Sequence, residues 1–209
     1  MKILIADDHA VVRRGLQQIV AMRPGWQIAA EVTDADEILP ALHREHFDLV
    51  ILDVTLQGRS GIDILGQIRD EFPSLPVLMF SMHAEEQYAL RSLRAGASGY
   101  IQKDRSPEEL IAAMERVTAG RTYLSEPVMT QLAAEVHSGS SGDQPHARLS
   151  EREFEVFGLI ARGRGVTEIA AALHISVKTV STYRSRILQK TGFRSNADII
   201  VYALSAGLV

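Results

Sequence analysis

The stretch Asp48–Asp53, DLVILD, runs four apolar residues into a carboxylate and then into the loop Val54–Gly61, VTLQGRSG. A short apolar run bounded by turn residues fits a strand buried on both faces, as in a parallel sheet. Asp53 then stands where the strand leaves the sheet. In open α/β sheets that carboxyl-end edge is where ligands bind.

The pattern repeats on both sides of this stretch. Further apolar runs lie at Lys2–Ala6, Gln27–Val32, Val77–Phe80 and Ser98–Ile101. Helical spacings separate them: Val12, Leu16, Ile19 and Val20; then Ile62, Leu65, Ile68 and Phe72; then Ala89 with Leu93; then Leu110, Met114 and Val117. Stop signals fall at Pro24-Gly25, Pro73 and Gly96. The last helix opens with Ser106-Pro107-Glu108-Glu109, an N-cap serine, a proline at the first helical position and a glutamate placed to close a capping box. Strict alternation of five strands and five helices over 1–119 predicts an α/β fold, a doubly wound five-stranded parallel sheet. A strand order of 2-1-3-4-5 would make strands one and three neighbours.

Residues 120–147 change character. Glu126–His137 is spaced as one helix, with Val128, Leu132 and Val136 on one side, and Ser138–Pro145, SGSSGDQP, has linker composition. Residues 148–209 read as all-α. Ser150-x-x-Glu153 caps a helix that carries Phe154, Phe157 and Ile160 inward. A short helix, Val166–Leu173, a turn at His174-Ile175-Ser176 and a longer helix, Val177–Lys190, follow. Gly192 ends that helix, and Ser195 caps a fourth one. A short helix, a tight turn and a second helix with a polar face form a helix-turn-helix.

Composition narrows the classes. The 209 residues contain no cysteine, so there is no disulfide framework and no thiolate metal site, which fits a reducing compartment. The N-terminus MKILIADDHA places acidic residues where a signal peptide has its apolar core, and no apolar run approaches the roughly 20 residues that span a bilayer. Residues 1–146 hold 13 Lys and Arg against 21 Asp and Glu, a net of −8. Residues 147–209 hold 9 against 5, a net of +4, which marks the basic part as the candidate for a polyanionic partner.

The predicted sheet brings Asp7, Asp8 and Asp53 to one edge. Three carboxylates are costly together unless a cation offsets them, and oxygen ligands with open water positions suit Mg²⁺. Such a cation would also neutralise an incoming phosphoryl group and leave Asp53 free to attack phosphorus. Ser81 ends the fourth strand and offers a hydroxyl donor; Lys103 ends the fifth and offers a point charge. Singly, these are a helix cap, a turn serine and a surface lysine. Together, at four strand ends of one sheet, they predict a phosphoryl-acceptor site.

Residues 1–119 resemble the receiver domain of bacterial two-component response regulators, through ILIADDH, VILDVTLQGRSG, FSMH and GYIQKD. The resemblance implies that Asp53 is the phosphoacceptor. It implies Mg²⁺ on Asp8, Asp53 and the backbone carbonyl of Thr55, with Asp7 acting through water. Ser81 and Lys103 would bind the phosphoryl group, and Tyr100 would turn inward as Ser81 moves. Gln57 departs from the proline usual in the family and Asp104 from a second one, while Thr55 and His83 occupy positions that tune phosphoryl loss. An aspartyl phosphate would add about −1.5 to −2 charges and bias a pre-existing equilibrium.

In the helix Val177–Lys190, Val177, Val180, Ile187 and Leu188 are expected to pack inward. Lys178, Ser181, Thr182, Ser185 and Arg186 face outward, and Thr179 and Arg184 complete the candidate DNA-contact set. Spacing alone leaves a solvated amphipathic helix equally open. Residues 149–209, LSEREFEVFGLIARGRGVTEIAAALHISVKTVSTYRSRILQKTGFRSNADIIVYA onward, are similar to LuxR-type DNA-binding domains. Gly165-Val166, Thr167 and Tyr183 depart from that pattern, with Thr167 removing a common phosphate-contacting lysine.

The order of receiver, linker and LuxR-type domain matches the NarL/FixJ subfamily. That resemblance implies a cytoplasmic transcription regulator rather than an enzyme in the ordinary sense. Its expected partners are a sensor histidine kinase, double-stranded DNA, a second copy of itself when phosphorylated, and RNA polymerase as a candidate, with no membrane.

Two other readings use the same residues. A hydrolase of the haloacid-dehalogenase type also has a nucleophilic Asp after a strand, but needs a second carboxylate two residues on, where this chain has Thr55. A DNA-binding protein whose receiver answers a ligand instead of phosphate is opposed by the complete set of Asp7, Asp8, Asp53, Ser81 and Lys103. His43 and His46 lie three apart on a predicted helix with no third ligand, and read as surface residues without zinc.

Overall fold

The computed structural model describes residues 1–56, 60–82, 85–138 and 144–209. Gln57, His83 and most of the Ser-Gly run lie outside the described residues. The chain divides into two compact units, Met1–Ala134 and Glu135–Val209.

In the first unit the strands are β1 Lys2–Ala6, β2 Gln27–Val32, β3 Leu49–Leu52, β4 Val77–Ser81 and β5 Gly99–Gln102. They pair in the order β2-β1-β3-β4-β5, every pairing parallel. The helices between and after them are α1 Ala10–Ala21, α2 Ile38–Arg44, α3 Gly61–Glu71, α4 Glu85–Arg94 and α5 Pro107–Thr118. The central strand β3 is buried along its whole length, which is why it reads as an unbroken apolar run rather than an alternating one.

Side chains alternate across a strand. On one face Ile3, Ile5, Leu49, Ile51, Leu78, Phe80 and Ile101 pack with Leu16 and Val20 of α1 and with Leu110, Ala113, Met114 and Val117 of α5. Trp26 packs against the margin of this cluster. The intervening residues Leu4, Val50, Leu52, Val77, Met79 and Tyr100 are also buried, as are Ile38, Leu42, Ile62, Leu65 and Ile68 of α2 and α3. Helix α5 opens with the expected box: Ser106 Oγ accepts from Glu109 N, and the Glu109 carboxylate accepts from Ser106 N.

Helix α4 differs from its expected face. Ala89 is buried, but Leu93 is only half-buried, and Ser92 is fully buried instead. Glu85, Tyr88, Ala89 and Ser92, spaced i, i+3, i+4, i+7, are buried, and so is Leu90. Glu85 and Ser92 are polar, so an apolar periodicity could not reveal them.

A thirteen-residue helix, α6 Glu126–Ser138, follows, and the division between units falls within it. Among the described residues, the second unit takes in the end of α6, a 3₁₀ turn, Pro145–Arg148, and then the helices α7 Glu151–Ala161, α8 Val166–Ala172, α9 Val177–Thr191 and α10 Asn196–Ser205. Phe154, Phe157, Ile160, Ile169, Leu173, Val180, Ile187, Ile199 and Ala203 are buried. Phe154 stacks on Phe157, and Phe193 lies 5.1 Å from the Tyr202 ring.

Each helix of this unit has an identifiable start. Ser150 and Glu153 form the expected capping box on α7. One Glu153 oxygen, Oε2, accepts both Ser150 N at 2.8 Å and Lys190 Nζ at 2.6 Å, joining the start of α7 to the last turn of α9. Gly165 supplies no side-chain cap to α8, and Glu168 reaches back to accept Gly165 N at 2.8 Å. Ser176 caps α9 through Thr179 N, and Gly192, at φ 76°, ends it in the left-handed region that glycine adopts without penalty.

Val177 corrects the expected inward face of α9. It is 45 % exposed, while Tyr183 and Arg184 are half-buried in its place. Val177 is the first residue of the helix, one turn before the buried Val180, and so overhangs the packed bundle.

Candidate functional site

The backbone ladder continues past the strands and fixes the pocket residues. Asp53 N donates to Ala6 O, Asp7 N to Val32 O, and Lys103 N to Ser81 O. Asp7, Asp53, Ser81 and Lys103 therefore leave the same edge of the sheet. Gly61, at the start of α3, closes the loop after Asp53. Its N–H donates to Val54 O at 2.7 Å, and a Cβ there would run into the backbone carbonyl of Asp53. Only glycine permits that approach.

Lys103 organises the carboxylates. Its Nζ lies 2.6 Å from Asp53 Oδ2 and 2.7 Å from Asp7 Oδ2, with all three side chains almost wholly buried. The other Asp53 oxygen, Oδ1, accepts Thr55 N at 3.3 Å. Burial pushes the Asp53 carboxyl up from its ordinary 3.8 to about 6; Lys103 and the Thr55 N–H pull against that rise, and Asp7 adds to it. The Asp53 carboxylate is thus held in a desolvated site by one ammonium group, where its charge is only partly offset.

The expected residues fall as follows. Ser81 is fully buried at the end of β4, and Tyr100 is buried in β5 with 1 % exposure. Thr55 adds its N–H to the pocket. Asp7 is buried and Asp8 half-buried.

The sequence reading missed His9. Its Nδ1 lies 2.7 Å from Asp8 Oδ1, 3.2 Å from Asp7 Oδ1 and 3.9 Å from Asp53 Oδ2. His9 occupies the N-cap of α1 yet makes no side-chain cap bond. The signal was available: a histidine where serine or aspartate is preferred, directly after two aspartates.

The donor set fits a divalent cation. Asp7, Asp8, His9 and Asp53 each place one ligand atom within 4.8 Å of all the others. Asp7 Oδ2 and Asp8 Oδ1 are buried and accept no hydrogen bond of regular geometry, although Lys103 Nζ and His9 Nδ1 approach them to 2.7 Å. Three carboxylates against one ammonium leave negative charge for a cation to offset, and hard oxygen donors suit Mg²⁺.

On α9, Lys178, Ser181, Thr182, Ser185 and Arg186 are exposed. Ser181, Thr182 and Ser185 donate their hydroxyl protons to the carbonyls of Val177, Lys178 and Ser181. Thr179 is half-buried against Ser176 Oγ at 2.8 Å. Arg184 is half-buried and donates from Nε to Asn196 Oδ1 at 2.6 Å, so it braces α10 rather than standing free. His43 and His46 are exposed, and His43 pairs with Glu71 across 3.0 Å.

A receiver-type acidic pocket followed by a helix-turn-helix unit defines a class, and the chain belongs to it: it is a two-component response regulator, a phosphorylation-regulated DNA-binding regulator of transcription. Residues 3–115 match the family of response regulator receiver domains, and residues 147–203 match the bacterial regulatory proteins of the luxR family. Among individual proteins, the chain is 37 % identical over 215 residues to the oxygen regulatory protein NreC of Staphylococcus aureus strain JH9, covering 100 % of this chain and 99 % of that one. A LuxR-family two-component response regulator from Aurantimonas sp. SI85-9A1 is 36 % identical, with a TM-score of 0.60 over 65 % of this chain and 96 % of the other. RcsB from Salmonella enterica serovar Typhimurium, solved on the promoter rprA with the phosphomimetic BeF₃⁻, is 26 % identical, with a TM-score of 0.62 over 97 % of both chains. No helix among the described residues is long and apolar enough to cross a membrane.

Proposed function

We propose that Asp53 is the phosphoacceptor and that its phosphorylation by a sensor histidine kinase controls promoter binding through α9. The observation that carries this reading is the Lys103 ammonium held between the buried carboxylates of Asp53 and Asp7. A carboxylate oxygen of Asp53 would attack the phosphorus of a phosphohistidine. The P–N bond breaks, and the kinase imidazole leaves and takes up a proton. Mg²⁺ held by Asp8, Asp53 and the Thr55 carbonyl, with Asp7 through water, would supply positive charge to the transferring phosphoryl group. Lys103 then trades a carboxylate for a phosphoryl oxygen, and the Ser81 hydroxyl donates to another. Tyr100, already buried beside Met79 in the β4–β5 pairing, is the side chain that reports this rearrangement.

At the DNA, Lys178 and Arg186 meet phosphates, while Ser181, Thr182 and Ser185 lie toward base edges. With their protons committed inward, these hydroxyls act as acceptors, which favours the amino groups of adenine and cytosine. Thr179 and Arg184 set the attitude of α9. Residues 1–119 serve as the receiver, 120–147 as the linker and 148–209 as the DNA-binding domain. The protein works in the cytoplasm as a homodimer when phosphorylated, with RNA polymerase as a further partner. Its only catalysis is transfer to and loss from its own Asp53.

The test is selection of binding sites from randomised DNA with and without beryllofluoride and Mg²⁺. A paired motif enriched mainly with beryllofluoride supports both halves of the reading. Equal enrichment in both arms sinks phosphoryl control, and so does Asp53→Asn leaving the stimulated binding intact. No enrichment in either arm sinks α9 as the reading helix.

A further inference from the structure

We propose that His9 is an imidazole ligand of the receiver's cation site and gives that site a preference for borderline divalent metals, such as Zn²⁺ and Co²⁺, over Mg²⁺. The inference rests on the reading of the acidic pocket as a cation site. It adds to that reading which metals the site selects.

Three observations meet at His9. Its Nδ1 faces all three carboxylates, at 2.7, 3.2 and 3.9 Å from one oxygen each of Asp8, Asp7 and Asp53. In four-coordinate and six-coordinate sites with metal–ligand bonds of about 2.0–2.2 Å, neighbouring donor atoms sit roughly 3 Å apart. The spread of these separations brackets that value, so a small closure of the cluster suffices. Second, His9 forgoes the local role of its position. It is the N-cap of α1, where a side-chain oxygen would satisfy an orphan N–H, and it makes no such bond. Its backbone N–H donates to Asp7 Oδ1 at 2.8 Å instead, which folds the Asp7–His9 turn so that ring and carboxylate stand together. Third, the carboxylates of Asp7, Asp8 and Asp53 lie together with the one ammonium of Lys103, which holds Asp7 Oδ2 at 2.7 Å and Asp53 Oδ2 at 2.6 Å, so negative charge remains in the site for a cation to offset.

The choice of metal follows from donor chemistry. Mg²⁺ takes hard oxygen donors and holds its waters, and gains little from an imidazole. Affinity for nitrogen donors rises along the first-row series through Co²⁺ and Ni²⁺, and Zn²⁺ takes His and carboxylate in four-coordinate sites. An Asp₃His set with a half-exposed imidazole at its rim therefore discriminates more strongly than Asp₃ alone. In a cell such metals would compete with Mg²⁺ for the pocket that receives the phosphoryl group.

The experiment titrates the full-length protein with Mg²⁺ and with Zn²⁺ by calorimetry, and with Co²⁺ by its visible d–d absorption. Asp8→Ala subtracts binding at the other histidines. Wild type is expected to bind Zn²⁺ at this site at least about 100-fold more tightly than Mg²⁺. His9→Ala should weaken the Zn²⁺ step by about 10- to 100-fold, shift or remove the Co²⁺ band and leave Mg²⁺ affinity within about threefold. His9→Gln should behave like His9→Ala. Unchanged Zn²⁺ affinity and an unchanged Co²⁺ spectrum in His9→Ala would overturn the proposal, as would equal loss of Mg²⁺ and Zn²⁺, which would mean that His9 only positions the carboxylates. If Mg²⁺ binding survives Asp8→Ala and Asp53→Asn, the cation-site reading itself fails, an outcome separate from the role of His9.

Discussion

Replacing Asp53 with asparagine should stabilise the Met1–Ala134 unit above pH 6 when divalent cations are absent. The Asp53 carboxyl is pushed by burial from 3.8 to about 6, against the pull of Lys103. The folded state therefore holds this proton more tightly than the unfolded chain does. Below about pH 4 the group is protonated in both states and exerts no penalty. From there to about pH 6 the unfolded chain releases the proton first, so wild-type stability falls. Above that the carboxylate is charged in both states and the penalty is complete. At about 1.4 kcal/mol per pH unit, the interval amounts to about 3 kcal/mol. Asparagine keeps the shape and an acceptor for Lys103 but does not ionise. Urea unfolding in EDTA, followed by fluorescence, reads this unit alone, because Trp26 is the one tryptophan in the chain. The stability gap between variant and wild type should be near zero at pH 4 and about 3 kcal/mol at pH 8. Mg²⁺ should narrow it by binding the wild type. A gap independent of pH, or a variant less stable than wild type at pH 8, would refute the account of Asp53 as a desolvated, under-compensated charge.

Five other substitutions test the surrounding structure. Gly61→Ala would force a methyl group against the Asp53 carbonyl, and should lower stability by more than about 2 kcal/mol and weaken Mg²⁺ binding, read by urea midpoint and calorimetry. Arg69 donates to the carbonyls of Gly96, Pro73 and Leu75 and to Ser98 Oγ; lysine cannot reproduce that fork, so Arg69→Lys should cost about 1–3 kcal/mol by the same urea assay. Ser176→Ala removes the cap of α9 and should cost about 1 kcal/mol, read by thermal unfolding of the helical unit in far-ultraviolet circular dichroism. Lys178→Ala and Arg186→Ala should each reduce the slope of log affinity for DNA against log salt by about 1, without changing the preferred sequence.

The sheet was legible because buried parallel strands write themselves as apolar runs. Leu49–Leu52 is the clearest case, and the pocket aspartates follow such runs directly. Helix caps were equally legible, since Ser106 and Ser150 announce themselves three residues before a glutamate. What escaped was set by tertiary contact. Ser92 is buried in α4 although it is polar, and Val177 is exposed although it is apolar, because a helix end can overhang its partners. Arg184 stood in the candidate DNA-contact set, and its engagement with Asn196 depends on a helix that starts twelve residues on. His9 beside Asp7 and Asp8 was legible as a local cluster, but its approach to Asp53, 44 positions away in sequence, arises only once the sheet has formed.

The double use of Glu153 Oε2 bears on how the helical unit comes apart. The last turn of a helix ordinarily frays by itself, at little free energy, because nothing beyond its own backbone holds it. In α9 that turn carries Lys190, whose ammonium shares one carboxylate oxygen with the first N–H of the α7 cap. Unwinding the end of α9 strips the charge that helps keep Glu153 ionised in its buried place, and so loosens the start of α7 as well. The opening of one end therefore favours the opening of the other. Hydrogen exchange at Ser150 and at the final turn of α9 should accordingly slow and quicken in step, as members of one cooperative unit.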